Sequence, residues 1–331
     1  MKKAVSLIIV LSLALVVFSG CAKTADTVKT GLAVVSSVAK STDAGEKEGL
    51  AEADSTVVAV TVDKDGKIVK CVIDTAQTKV NFTTEGKITT DFEKEFKSKQ
   101  ELKTDYGMLK ASGIKKEWNE QADAFAAYCV GKTAAEVQGI AVSEGYPAEA
   151  ELKASVTMHI TDFIDAVVKA VNNASDLGAK STDKLGLGLA TVIDSSKDAT
   201  AEKAGLAQVD TTYAAVTFAA DGKITSSIIE SSQSKVNFDL TGKITSDLTA
   251  ALKTKTELKE DYGMKARSGI GKEWYEQAAA FAKYVVGKTA AEVKGIAISE
   301  GYPSDAELKA SVTIHITDFL TVVEKAGNNA K

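Results

Sequence analysis

The chain has 331 residues, room for two ordinary domains rather than one. Its 44% hydrophobic, 26% charged and 6% aromatic residues make a globular rather than a disordered composition. A net charge of −5 excludes a basic field for nucleic acid, and three cysteines with two histidines are too few for a disulfide framework or a zinc module.

The N-terminus carries a targeting signal. Lys2-Lys3 is followed by an apolar run from Ala4 to Phe18 and by Ser19-Gly20-Cys21, the layout of a secretory signal peptide. At about 15 residues the run is shorter than the ~20 that span a bilayer. Phe18-Ser19-Gly20-Cys21 resembles a bacterial lipobox. That resemblance implies cleavage before Cys21 and acylation of its sulfur with palmitate-type chains. Each buried methylene contributes roughly 0.8 kcal/mol, so two or three chains anchor a protein stably. The expectation is an extracytoplasmic lipoprotein held to the membrane by its N-terminal lipid. Without Lys2 and Lys3 it carries 38 basic and 45 acidic residues, a net charge of −7 that does not draw it onto anionic lipid.

The rest of the chain is an internal duplication. Asp65-Gly66-Lys67-Ile68 recurs as Asp221-Gly222-Lys223-Ile224, and Lys79-Val80-Asn81-Phe82 as Lys235-Val236-Asn237-Phe238. Asp105 to Met108 returns at Asp261 to Met264, and Gly145-Tyr146-Pro147 at Gly301 to Pro303, always 156 positions apart. Upstream, Gly31-Leu32-Ala33 matches Gly188-Leu189-Ala190 if one residue is inserted. The organisation expected is a signal peptide (1–20), a lipidated cysteine with tether (21–30), a repeat domain (31–174), a small polar linker (175–187) and a second repeat domain (188–331). The fold class expected is α+β: two tandem copies of one small domain, an antiparallel sheet with helices.

Within a repeat, Val57 to Val62 is β-rich, Asp63 to Gly66 is a turn and Ile68 to Ile73 alternates, which predicts a hairpin. Lys87-Ile88-Thr89 extends the sheet or leads into a solvated helix over Asp91 to Lys103. Trp118, Ala122, Phe125 and Cys129 fall at helical spacing, as do Trp274, Ala278, Phe281 and Val285. Thr133 with Glu136 and Thr289 with Glu292 are capping boxes. Ser155 to Ile160 alternates like a strand, and Thr161 is placed to cap a last helix from Asp162 to about Val171.

Little of this carries chemistry. Cys71 corresponds to Ser227 and Cys129 to Val285, so neither thiol is shared by the repeats; both read as small core residues, and as one disulfide if close enough. His159 and His315 correspond but lack companions for a metal set. Ser112-Gly113-Ile114-Lys115 and Ser268-Gly269-Ile270-Gly271-Lys272 suggest a helix-start turn or an anion loop without the Walker pattern. Asp105, Asp261 and their acidic neighbours read as surface charge.

The Asp-Gly-Lys-Ile hairpin, and the block Ala150-Glu151-Leu152-Lys153-Ala154-Ser155-Val156-Thr157 before a helix, resemble the FMN-binding domain family. Its members include flavin subunits of sodium-pumping quinone reductases and tandem extracellular lipoproteins of electron transfer. The family's Ser-Gly-Ala-Thr motif places its flavin-bearing threonine at Thr157 or Thr313. Ala154-Ser155-Val156 replaces Ser-Gly-Ala, so Ser155 stands where the family has its glycine, and Val156 makes the segment stiffer and more strand-like. The resemblance implies FMN near Thr157, Thr313, Ser155 and Ser311, with Trp118, Trp274, Tyr106 and Tyr262 as walls (Tyr146 and Tyr302 being further candidates), and a redox partner. The competing expectation is a non-enzymatic surface lipoprotein whose two domains bind a protein, peptide or cell-wall component.

Overall fold

Val57 to Val62 has no polar face, so the strand it forms must be covered on both sides. In the computed structural model, which describes residues 26–331, the architecture does this in four layers: helices, sheet, sheet, helices. The signal peptide and Cys21 lie outside the described residues.

The first repeat runs β1 (Lys29–Ser37), β2 (Gly49–Val62), β3 (Ile68–Phe82), α1 (Lys99–Leu102), α2 (Trp118–Cys129), α3 (Ala134–Gln138), β4 (Val142–Ser143), β5 (Tyr146–Pro147), α4 (Ala150–Lys153) and α5 (Thr161–Asn172). The second runs β6 (Lys184–Val192), β7 (Gly205–Phe218), β8 (Ile224–Phe238), α6 (Lys255–Leu258), α7 (Trp274–Tyr284), α8 (Ala290–Lys294), β9 (Ile298–Ser299), β10 (Tyr302–Pro303), α9 (Ala306–Lys309) and α10 (Thr317–Asn329). The protein is α+β. β1-β2-β3 and β6-β7-β8 are antiparallel meanders, with a bulge between Thr61 and Val62 repeated between Thr217 and Phe218.

Alternate residues of β2 face opposite ways. Val58 and Val60 pack on Phe125 of α2 and Val167 of α5, while Val57 and Ala59 meet Leu187, Tyr213 and Ala215 of the second sheet. At the far end Phe82 and Phe238 stack within a further shared cluster. Contacts between the repeats come in matched pairs, as a pseudo-twofold axis requires. Ala199 N–H donates to Gly86 O and Ala44 N–H to Gly242 O, both at 2.8 Å. Lys169 bridges to Glu257 at 2.6 Å and Lys325 to Glu101 at 2.7 Å.

The hairpin, the two long helices and both capping boxes stand where the sequence predicts them. Four local expectations are corrected. The helix expected over Asp91 to Lys103 shrinks to α1, because the Ser98–Glu101 capping box starts it late and Lys103, at φ 49°, ends it. Ser155 to Ile160 is not a strand. Its apolar residues are buried, yet its N–H groups bond to Leu152 O, Gln121 Oε1 and Gly145 O rather than to a neighbouring strand. Ile160, not Thr161, is the N-cap of α5, without a side-chain cap bond. The upstream match also moves: Gly31 pairs with Val60 and Gly186 with Val216, so Gly31 corresponds to Gly186 and not to Gly188. A slip of two preserves strand sidedness, which hides it from pattern reading.

The polar segment between the repeats is tied down. Thr30 and Ser175 exchange N–H···O bonds at 2.9 and 3.0 Å, Val28 N–H donates to Ala179 O, and Ser181 N–H to Asp26 O. β1 therefore begins within the expected tether and β6 within the expected linker.

Candidate functional site

In each repeat a buried glutamine organises the loop before the long helix. Gln121 and Gln277 are fully buried. Gln277 Oε1 accepts from the Thr313 N–H at 2.8 Å and its hydroxyl at 3.2 Å, while Nε2 donates to Ser268 Oγ and Lys272 O. Gln121 does the same with Thr157, Ser112 and Lys116. The buried N-cap Glu273 accepts from Met264 and Lys265 N–H, as Glu117 does from Met108 and Leu109. These paired donors explain how a carboxylate tolerates burial there.

In the second repeat this scaffold borders a cavity of about 370 Å³, lined by Tyr262, Arg267, Ser268, Gly269, Gln277 and Thr313 among others. Arg267 is the chain's only arginine, and its counterpart is Ala111. Two expected site residues, Thr313 and Tyr262, thus converge with the Ser-Gly loop. The others do not. Ser155 and Ser311 donate to Leu152 O and Leu308 O within their own turns. Trp118 and Trp274 are buried core residues. Lys255 Nζ lies 5.2 Å from the Tyr262 ring centre and 5.1 Å from that of Trp274, and Lys99 covers Tyr106 and Trp118 likewise. Burial lowers the Lys255 pKa. The aromatic faces expected to hold a flavin ring are therefore covered by an ammonium group. Val312, in the place of a motif residue, is wholly buried. The fit to FMN is confined to a phosphate end at Thr313 and the Ser268 loop.

The remaining chemistry-bearing residues lie elsewhere. His159 and His315 are exposed and pack tilted or edge-on against Tyr146 and Tyr302, with ring centres 4.0 and 4.1 Å apart. Cys71 and Cys129 are free thiols in one core cluster, and burial pushes the Cys129 pKa up to about 12. Among the described residues no group of three or more His, Cys, Asp or Glu is placed to hold a metal, and no helix is long and apolar enough to cross a membrane.

A cleft of about 700 Å³ lies between the repeats. β1 supplies Leu32 and Val34, β8 supplies Ile228 and Glu230, and α7 supplies Ala279 and Ala282. The Lys169–Glu257 bridge lies on its wall, with Lys169 also donating to Val34 O at 2.8 Å. Glu230 is pushed above the usual carboxylate range by burial, but it accepts from Ser231 N–H, from Thr256 N–H and hydroxyl, and from the Thr254 hydroxyl, so its role is to hold the start of α6. Ser227 differs. It is 6% exposed, lines the cleft, and its hydroxyl oxygen has no hydrogen-bond partner among the described residues. The oxygen itself is buried, so the unmet hydroxyl is a local cost in free energy.

Sequence reading missed Gln121, Gln277 and the cleft. The glutamines were signalled by Glu-Trp-X-Glu-Gln, present in both repeats at 117–121 and 273–277. Nothing local signalled the cleft, because its walls come from both halves of the chain. Comparison with protein-family models, with curated proteins and with solved structures gives no match.

Proposed function

We propose that the protein is a non-enzymatic, lipid-anchored extracytoplasmic lipoprotein that binds one small, largely apolar ligand in the cleft between its repeats. The carrying observation is the cleft itself: about 700 Å³ between the repeats, with Leu32, Val34, Ile228, Ala279 and Ala282 forming an apolar part of its lining beside charged and hydroxyl side chains. That volume and lining match ligand sites, which lie preferentially between domains and use a few polar groups to orient an apolar guest. The ligand class is a small molecule with an apolar body. The N-terminal signal and Cys21 support the location.

The test is a fluorescence titration of residues 22–331 with 1-anilinonaphthalene-8-sulfonate. Saturable binding is expected, abolished by Ala279→Trp, which fills the cleft from an exposed helix position. Binding that does not saturate, or that ignores Ala279→Trp, overturns the reading.

FMN is the second reading, favoured by the convergence of Thr313, Tyr262 and the Ser268-Gly269 loop on one cavity. Under it the protein takes up added FMN and hands electrons to a redox partner. Thr313→Ala lowers the uptake, with Thr157→Ala testing the first repeat. A protein that stays colourless with excess FMN removes this reading and leaves the first.

A further inference from the structure

β2 and β7 are counterparts, and they differ by a buried charge: β2 carries Glu52 where β7 carries Gln208. Glu52 faces Lys79 across β2 and β3, as Gln208 faces Lys235 across β7 and β8. Both oxygens of the Glu52 carboxylate are met. Lys79 Nζ lies 3.4 Å from Oε2, while Oε1 accepts from Gln77 Nε2 at 2.9 Å and has Lys40 Nζ at 3.8 Å. A buried carboxylate is tolerated there because cations and a donor surround it.

The second repeat keeps the donors and loses the carboxylate. Gln233 and Lys235, the counterparts of Gln77 and Lys79, line a cavity of about 270 Å³ together with Lys253 and Lys255. Gln208 Nε2 donates to Asp210 Oδ2 at 2.7 Å, along its own strand. Ser195 takes the place of Lys40. Among the described residues none of Lys235, Lys253 and Lys255 enters a salt bridge. Carboxylates offset part of this charge. Asp261, which is exposed, lines the cavity too, and Asp210, Glu230 and Asp318 attract Lys255. Lys255 is moreover seated against the rings of Tyr262 and Trp274. Lys235 and Lys253 therefore remain for an anion from outside the chain.

We propose that this cavity binds a small carboxylate, whose two oxygens take the places that Glu52 Oε1 and Oε2 fill in the first repeat. Gln233 donates to one oxygen and Lys235 pairs with the other, while Lys253 adds positive charge to the lining. Leu258 and Tyr262, also in the lining, offer apolar surface to the rest of the acid. The site is separate from the cleft between the repeats, with which it shares no lining residue.

The experiment is calorimetric titration of the full-length chain, in an uncharged detergent at pH 7 and low salt, with sodium benzoate. One saturable site is expected. Lys235→Gln should weaken it about fivefold or more, and Gln208→Glu with Ser195→Lys, which copies the first repeat's carboxylate and lysine, about tenfold or more. Added salt should weaken it as well. Should the double variant unfold, Lys235→Gln, at an exposed position, decides alone. Absence of saturable binding overturns the proposal. So does benzoate binding that ignores these variants; if Ala279→Trp removes that binding instead, it belongs to the cleft. Inorganic phosphate binding more tightly than benzoate, with the same response to the variants, overturns the carboxylate as the ligand class.

Discussion

Phe82 and Phe238 lie ring on ring between the two sheets, their centres 4.2 Å apart and their planes 7° from parallel, and neither is exposed. They are counterparts, one from each repeat, so the stack sits on the pseudo-twofold axis. Gly49 and Gly205 leave the room for it, since a Cβ on either would collide with the ring of Phe82 or Phe238 respectively. Phe238→Ala should therefore open a cavity between the repeats and cost about 3–5 kcal/mol of stability. Urea unfolding measures this. A loss below about 1 kcal/mol would mean that the sheets close up without the ring.

Close approach of helix to strand predicts a second sensitive position. A Cβ at Gly186 would run into the carbonyl oxygen of Ala326 in α10, as one at Gly31 would meet that of Ala170 in α5. Helix backbone cannot yield locally, so Gly186→Ala is expected to destabilise by roughly 1–3 kcal/mol or more. Gly113→Ala is the control. Nothing lies within 4 Å of its added Cβ and its φ is not positive, so its change should stay within about 0.5 kcal/mol. Equal effects at the two sites in thermal or urea unfolding would refute the packing argument.

These two positions also show what the sequence made legible. Strand and helix periodicity reported burial well: the Val57 to Val60 run is apolar because both of its faces are covered, and the alternation from Ser155 to Ile160 correctly marks Val156 and Ile160 as core. Periodicity does not report hydrogen-bond partners, so the second segment read as a strand although it bonds to a side chain and to turns. The duplication was plain in the sequence, yet the register of Gly31 was not, because a two-residue slip keeps the same face inward. The site divided in the same way. Thr313 and Tyr262 were grouped through the family resemblance and prove to share a cavity with the Ser268 loop, whereas the cleft joins Leu32 to Ala279, which neither resemblance nor local pattern connects.

Asp74 predicts a pH dependence. It is buried on β3, its Oδ1 accepts from Thr75 N–H at 2.7 Å and Gln100 N–H at 3.0 Å, and burial pushes its pKa up from 3.8 to about 7. Between those values the native chain keeps a proton that the unfolded chain releases. Stability from this group is therefore fully present below about pH 4 and lost as pH rises to about 7. Glu230, its counterpart, is raised in the same direction by burial and reinforces the trend. Asp74→Asn keeps the Oδ1 acceptor and has no proton to lose, so urea midpoints between pH 4 and 7 should fall less steeply than in the wild type. An unchanged slope would place the pH dependence elsewhere.

The glutamine at the centre of the second-repeat cavity is the most exacting position. Gln277→Leu preserves volume but leaves the Thr313 N–H without its partner and removes the donors to Ser268 Oγ and Lys272 O. An unpaired buried amide costs about 1–3 kcal/mol, so the loss should fall in that range. Its location should be readable by hydrogen exchange: the amides of Thr313 and of residues 268–272 should exchange faster, while those in the middle of α10 keep their protection. Gln277→Glu separates the two halves of the role, because its carboxylate still accepts from Thr313 but no longer donates to Lys272 O. Thr313 should then stay protected while the Ser268 loop loosens. If both variants loosen both segments equally, the glutamine supports the fold as a whole rather than joining the loop to Thr313.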